Sequence, residues 1–214
     1  MTLLISYFLR FVLILPAIIL HEVAHGFAAR ALGDPTAQRA GRLTLNPIPH
    51  IDLWGTLLLP ALLILGRSPV VFGYAKPVPF DPRYFKDQKT GMLLTGIAGP
   101  LTNLALAVVF GVALRFVPTP ETVSLGATDS LYSIVLTFVF LNLALAFFNL
   151  IPIPPLDGSR VVQRFLSGSA LRFYYQMERY GFVILFAVLF LLPGAIDAYL
   201  GVTVFPLLKL ITGL

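Results

Sequence analysis

Residues 21–25 read HEVAH. On a helix this spacing places His21 and His25 one turn apart on one face, so that both imidazoles can reach a single metal ion. Glu22 then lies beside the metal rather than on it. A zinc ion held by three protein ligands keeps a fourth position for water, lowers the pKa of that water towards about 7, and needs a carboxylate to take its proton. Glu22 fits that catalytic role. The competing reading is two core histidines and a buried glutamate in an apolar helix. A charged side chain at the centre of a span costs on the order of 2–3 kcal/mol, and such residues are usually functional. Two of the three histidines in the chain also fall in this one motif, and the metal reading is the stronger.

A third protein ligand is still needed. The chain has no cysteine, and His50, the remaining imidazole, lies in a polar loop, so the search turns to carboxylates. Asp157 stands in NLIPIPPLDG just past an apolar segment, at the same expected depth as His21 and His25. Three prolines and a glycine prevent a regular helix there and present the aspartate on a turn. Its alternative is an N-cap for the helix GSRVVQRFL that follows.

With HEVAH in the first apolar segment and Asn149-x-x-Pro-x-Pro-x-Leu-Asp-Gly after a later one, the sequence resembles the site-2 protease family of intramembrane zinc metalloproteases, over essentially the whole chain. The resemblance implies one zinc ion on His21, His25 and Asp157, with Glu22 as catalytic base. In GIAGPLTN, Gly99 and Asn103 match the family's G-x-x-x-N element. It further implies that Asn103 and Asn149 lie near the active site, where they could hold a substrate backbone or stabilise an oxyanion; hydrogen bonding between helices is an equal alternative. The stretch NPIPHIDLWGT is typical of the compact branch of the family. His50 and Asp52 within it could sit near the mouth of the site, although an interface or a helix cap is the simpler role. The sequence contains no polar insert for a PDZ-like domain and no nucleotide-sensing tail, so a minimal catalytic core over residues 1–214 is expected, regulated by membrane partners or substrate supply.

The elements that must position these residues are membrane spans. The 214 residues are 57% hydrophobic and 12% charged, too apolar for a soluble domain. Four segments are long and apolar enough to cross a bilayer, at roughly residues 3–32, 92–117, 131–150 and 181–200. The first runs into HEVAH without an A-x-A-like cleavage site and is expected to stay as a span. Residues 33–50 carry Arg39 and Arg42, residues 67–91 carry Arg67, Lys76, Arg83, Lys86 and Lys89, and the segment after 150 carries Arg160, Arg164, Arg172 and Arg179. By the positive-inside rule these face the cytoplasm, whereas residues 118–130, with Glu121 and Asp129, face out. The HEVAH motif, about 30 Å along the first helix, then lies near the cytoplasmic edge of the hydrocarbon. Residues 51–66, between two cytoplasmic loops, suit a re-entrant hairpin. The run PVVFGYAKPVPF after it reads as a short β element, with an exposed edge within Val70 to Phe80 to which an extended substrate could add. The expected fold is an all-α polytopic protein of about four full transmembrane helices, a re-entrant hairpin and a short β element, multi-pass in the cell membrane.

The net charge of +5 is gathered in loops rather than interleaved with aromatics, which excludes a nucleic-acid partner and leaves the lipid bilayer and transmembrane protein substrates. Oligomeric state leaves no signal. The main rival function is a transporter or ion path through buried His, Glu and Asp, but that predicts carboxylates spread along a route and an internal repeat, and neither appears. A metal-binding pseudoenzyme would lack the carboxylate at position 22.

Overall fold

Asp87 and Ser130 open the two middle crossings. Each lies in extended backbone and accepts the N–H of a residue two or three positions on, Lys89 at 3.0 Å and Ser133 at 3.1 Å, satisfying donors that a helix start leaves orphaned. The structure is a computed structural model that describes residues 2–66, 68, 73–120, 125 and 130–214, residues 2–10 and 193 as backbone alone. Nine α-helices are described: α1 Thr2–Ala31, α2 Thr36–Arg39, α3 Leu59–Leu65, α4 Gln88–Leu114, α5 Leu131–Asn149, α6 Asp157–Gln163, α7 Gly168–Glu178, α8 Gly181–Leu191 and α9 Pro193–Thr212. Four contain segments long and apolar enough to span a bilayer, Phe11–Ala31, Gln88–Leu114, Leu131–Asn149 and Gly194–Thr212. The protein is a multi-pass membrane protein.

The fourth crossing differs from the sequence expectation of residues 181–200. Proline has no N–H to continue a helix and its ring clashes with the preceding turn, and here the rod breaks at Leu192, with φ −129° and ψ 48°. Helix α8 stops at 11 residues, too short to cross, and packs Leu185 and Leu189 on Ile151 and Leu156. The crossing is made by α9, whose second half lay beyond the expected span.

Contacts fix the directions. Asn103 meets Ala17 and His21, and Thr95 meets His25, so α1 and α4 are antiparallel. Ala107 and Leu114 of α4 pack with Leu136, Val139 and Leu143 of α5 and Val204, Leu208 and Ile211 of α9. Between helices in lipid this is close packing rather than hydrophobic expulsion from water. Arg115, just past α4, donates to the carbonyls of Ile211 and Leu210 at the end of α9, so α4 and α9 run parallel and end on one face.

The re-entrant hairpin is present with unlike arms. Asp52 accepts the Gly55 N–H at 2.7 Å and starts a π-helical stretch, Leu53–Leu58, that continues into α3. The chain then returns extended: the N–H of Tyr74 donates to Gly55 O at 3.0 Å and that of Lys76 to His50 O at 2.9 Å. Residues 73–81 stay extended up to the short turn Pro82–Tyr84, without a paired strand among the described residues. Residues 69–72 of the expected β element, with Val71, and most of the 118–130 loop, with Glu121, Gly126 and Asp129, lie outside the described residues.

The helix directions predict a labelling pattern. In a chain free of natural cysteine, thiols introduced at Thr119 and Leu214 should be labelled from one side of the membrane, and those at Arg39 and Ser169 from the other. Labelling of the Leu214 position from the Arg39 side would contradict the placement of α9.

Candidate metal centre

Three distant stretches meet at one buried point. His21 and His25 project from α1, Asp157 is the first residue of α6, and α4 passes behind them; all three residues are at most 6% exposed. The N-cap of α6 is Leu156, with no side-chain capping bond, so Asp157 is not used as a cap. Two close backbone approaches make the convergence possible. A Cβ on Gly99 would lie 2.5 Å from Nε2 of His25 and 2.6 Å from Nε2 of His21, so only glycine lets α4 come so near. A Cβ on Gly158 would overlap the carbonyl of Leu150, which tucks α6 under the end of α5.

Nε2 of His21 lies 3.0 Å from Nε2 of His25 and 3.0 Å from Oδ2 of Asp157, and Nε2 of His25 lies 3.2 Å from that same oxygen. Nδ1 of His25 faces the carbonyl oxygen of Thr95 at 2.6 Å. A carbonyl cannot donate, so Nδ1 carries the hydrogen, and Nε2 is the nitrogen that offers a lone pair to a metal. Nδ1 of His21 faces Oδ1 of Asn103 at 2.6 Å, with the same result. With neutral rings, two imidazole lone pairs and a carboxylate oxygen crowd one buried triangle. A proton could relieve one edge of it; a divalent cation relieves all three. Ligand atoms around a tetrahedral zinc stand about 3.3 Å apart for metal–ligand distances of about 2.0–2.1 Å, which the triangle matches. The donor set, two imidazoles and a carboxylate without sulfur, also suits zinc. Among the described residues this is the one group of three or more such side chains able to hold a metal ion.

The ligand candidates are themselves held, as metal sites require. Arg160 donates to Oδ1 of Asp157 at 2.8 Å, leaving Oδ2 for the triangle, and its guanidinium lies 4.9 Å from the centre of the Phe80 ring. Glu22 accepts the Val78 N–H on Oε2 at 2.8 Å. Phe80 and Val78 belong to the extended stretch 73–81, which is tied down by Arg42 donating to Lys76 O at 2.6 Å and by the Asp81 N–H donating to Asp34 at 2.6 Å.

The other sequence candidates are distributed around this centre. Asn103 is fully buried and gives its amide hydrogens to Ala17 O and to Asn142 Oδ1. Asn149 donates to Leu145 O one turn back on its own helix. His50 is buried, bonds Thr44 O through Nε2, and receives Lys76 N–H on its carbonyl at the base of the hairpin. Asp52 caps the hairpin helix. Three partners had no place in the sequence reading: the Thr95 carbonyl, Asn142, and Arg160, which was read as an orientation charge. The signal for Arg160 was its i, i+3 spacing from Asp157 on a helix.

Residues 121–192 match Peptidase family M50. The chain is 40% identical over 178 residues to "Putative zinc metalloprotease YwhC" of Bacillus subtilis, covering 81% of this chain and 76% of that one. The chain belongs to Peptidase family M50. It is 32% identical over 189 residues to "Putative zinc metalloprotease Rip2" of Mycobacterium tuberculosis, covering 88% and 68%, and 26% identical over 159 residues to "Zinc metalloprotease MJ0392" of Methanocaldococcus jannaschii, covering 73% and 34%. No solved structure matches. This is the family reached from HEVAH and NLIPIPPLDG, and with the buried His21, His25 and Asp157 group it makes the protein a zinc metalloprotease.

Gly99→Val should therefore empty the site, because the new side chain must occupy the space between the two Nε2 atoms. Glycine is about 1 kcal/mol poorer than alanine in a helix interior, so Gly99→Ala should not weaken α4 by its backbone preference and isolates the crowding. Metal analysis of the purified variants should find zinc reduced at least about tenfold, a loss of the order seen when a metal site's surroundings are disturbed. Full occupancy in Gly99→Val would place the metal elsewhere.

Proposed function

We propose that residues 1–214 form one catalytic domain that hydrolyses peptide bonds in transmembrane or membrane-proximal segments of protein substrates, with His21, His25 and Asp157 holding the zinc and Glu22 as base. The observation that carries the reading is the buried triangle of His21 Nε2, His25 Nε2 and Asp157 Oδ2, with Glu22 next in sequence to His21 on the same helix. Zinc supplies Lewis acidity, making water a competent nucleophile near neutral pH and drawing charge off the scissile carbonyl. Glu22 accepts the proton of the attacking water and returns it to the leaving amine. The Val78 N–H fixes one carboxylate oxygen of Glu22 and so sets the direction of the other. Asn103 and the Thr95 carbonyl hold His21 and His25 in their tautomers, and Arg160 holds Asp157. Asn149 remains the candidate for holding substrate backbone.

The depth of the site supports water access from the face that carries Arg39, Lys86 and Lys89, which the positive-inside rule makes cytoplasmic. A substrate helix has its carbonyls bonded internally and must unwind before one can be attacked. The extended stretch 73–81 offers backbone groups beside Glu22 for such an unwound segment.

Purified enzyme should cleave a single-span model protein in detergent, and a zinc chelator should stop it. Glu22→Gln should keep its zinc and lose about 10²–10⁴-fold in rate, the usual contribution of a general base. His21→Ala and Asp157→Ala should lose zinc affinity as well. A Gly or Pro near the scissile bond should speed cleavage. Wild-type rates in Glu22→Gln would refute its role; full zinc occupancy in Asp157→Ala would leave the third ligand to another group.

A further inference from the structure

A one-directional chain of side-chain hydrogen bonds leaves the metal centre, crosses from α1 through α4 into α5, and ends on a backbone carbonyl. Its last member, Asn142, is fully buried in the apolar middle of α5 and touches no ligand candidate directly. We propose that Asn142 is a positioning residue of the zinc site, which fixes through Asn103 the ring nitrogen of His21 that carries hydrogen. The inference rests on the assignment of His21 to zinc.

The direction follows from the far end. Phe138 O can only accept, so Asn142 must present its Nδ2 there, at 2.9 Å. Its Oδ1 then faces Asn103, which must present Nδ2 in turn, also at 2.9 Å. The second hydrogen of that amide goes to Ala17 O at 3.2 Å, another group that can only accept. Oδ1 of Asn103 is left for His21, 2.6 Å from Nδ1, and Nδ1 must donate. The lone pair of Nε2 is thereby aimed at the point shared with His25 and Asp157. The two carbonyls, which have no tautomers, fix every step.

Without Asn142, one of the two bonds that hold the Asn103 amide hydrogens is gone. A flipped Asn103 would then offer Nδ2 to His21, shifting the ring hydrogen to Nε2, where it can bond Asp157 and block the metal. A buried amide that served merely to bind helices together would affect stability and leave the His21 ring alone. The two roles therefore separate in experiment.

The test uses the full chain in detergent, with zinc as the probe, its affinity read against a competing chelator, and ring signals from ¹⁵N-labelled histidine, of which the chain has three. In the zinc-loaded wild type, the His21 hydrogen should sit on Nδ1 with the downfield proton shift of a strong hydrogen bond. Asn142→Leu should move that signal and weaken zinc binding about tenfold, the low end for residues that support metal ligands. In an Asn103→Leu background the same substitution should cost no further affinity. Where Asn142→Leu does not fold, Asn142→Met, whose flexible chain fills irregular space, takes its place. A folded variant with unchanged signal and affinity overturns the proposal, as does a full additional loss in the Asn103→Leu background. A wild type that carries the His21 hydrogen on Nε2 overturns it without any variant. His21→Ala separates this from the parent reading: if that variant binds zinc like wild type, the ligand assignment itself fails.

Discussion

Two imidazole nitrogens and a carboxylate oxygen lie within 3.2 Å of one another, buried and aimed at one point. Such a cluster of lone pairs is unfavourable by itself, since burying polar atoms without compensation costs roughly 1–3 kcal/mol each. A divalent cation turns the same geometry from a liability into a binding site. Much of the surrounding structure can be read as what holds that cluster together. Helix α4 must approach α1 closely enough to exclude any side chain at Gly99, and α6 must start where Gly158 fits against the end of α5.

The bilayer sharpens this requirement. Polar atoms at membrane depth cannot turn to water, so each partner of the site must in turn be partnered from within the protein. His25 is settled by a backbone carbonyl, Asp157 by Arg160, and His21 by a buried amide that has a buried amide behind it. The extended stretch 73–81 joins the same scheme from the other side. It gives Glu22 a backbone N–H, lays Phe80 against Arg160, and is itself anchored by Arg42 and Asp34. The hairpin thus leads into a piece of fixed, non-helical backbone beside Glu22 and Arg160.

The residues that meet at the candidate metal centre were legible in the sequence because their types have a spacing: HEVAH encodes one helical face, and LDG puts an aspartate after a chain break. The hairpin was legible from the charge of its flanks. The supporting partners were less so. Asn142 and Asn149 are both amides of one apolar helix, and nothing in the spacing says that the first faces α4 while the second bonds its own turn. The Thr95 carbonyl has no signature, because any backbone supplies one. The fourth crossing was misplaced because hydropathy continues across Leu192 and Pro193, whereas the helix does not. There the conformational preference of one proline outweighed a run of apolar side chains.

The most direct test of the central claim is X-ray absorption at the zinc edge on the purified protein, which counts imidazole rings around the metal by the scattering of their outer atoms. The account predicts two imidazoles with oxygen completing a four-coordinate shell, unchanged when His50 is replaced by alanine. A shell containing three imidazoles, or one that loses a ring when His50 is replaced, would contradict the His21, His25 and Asp157 site.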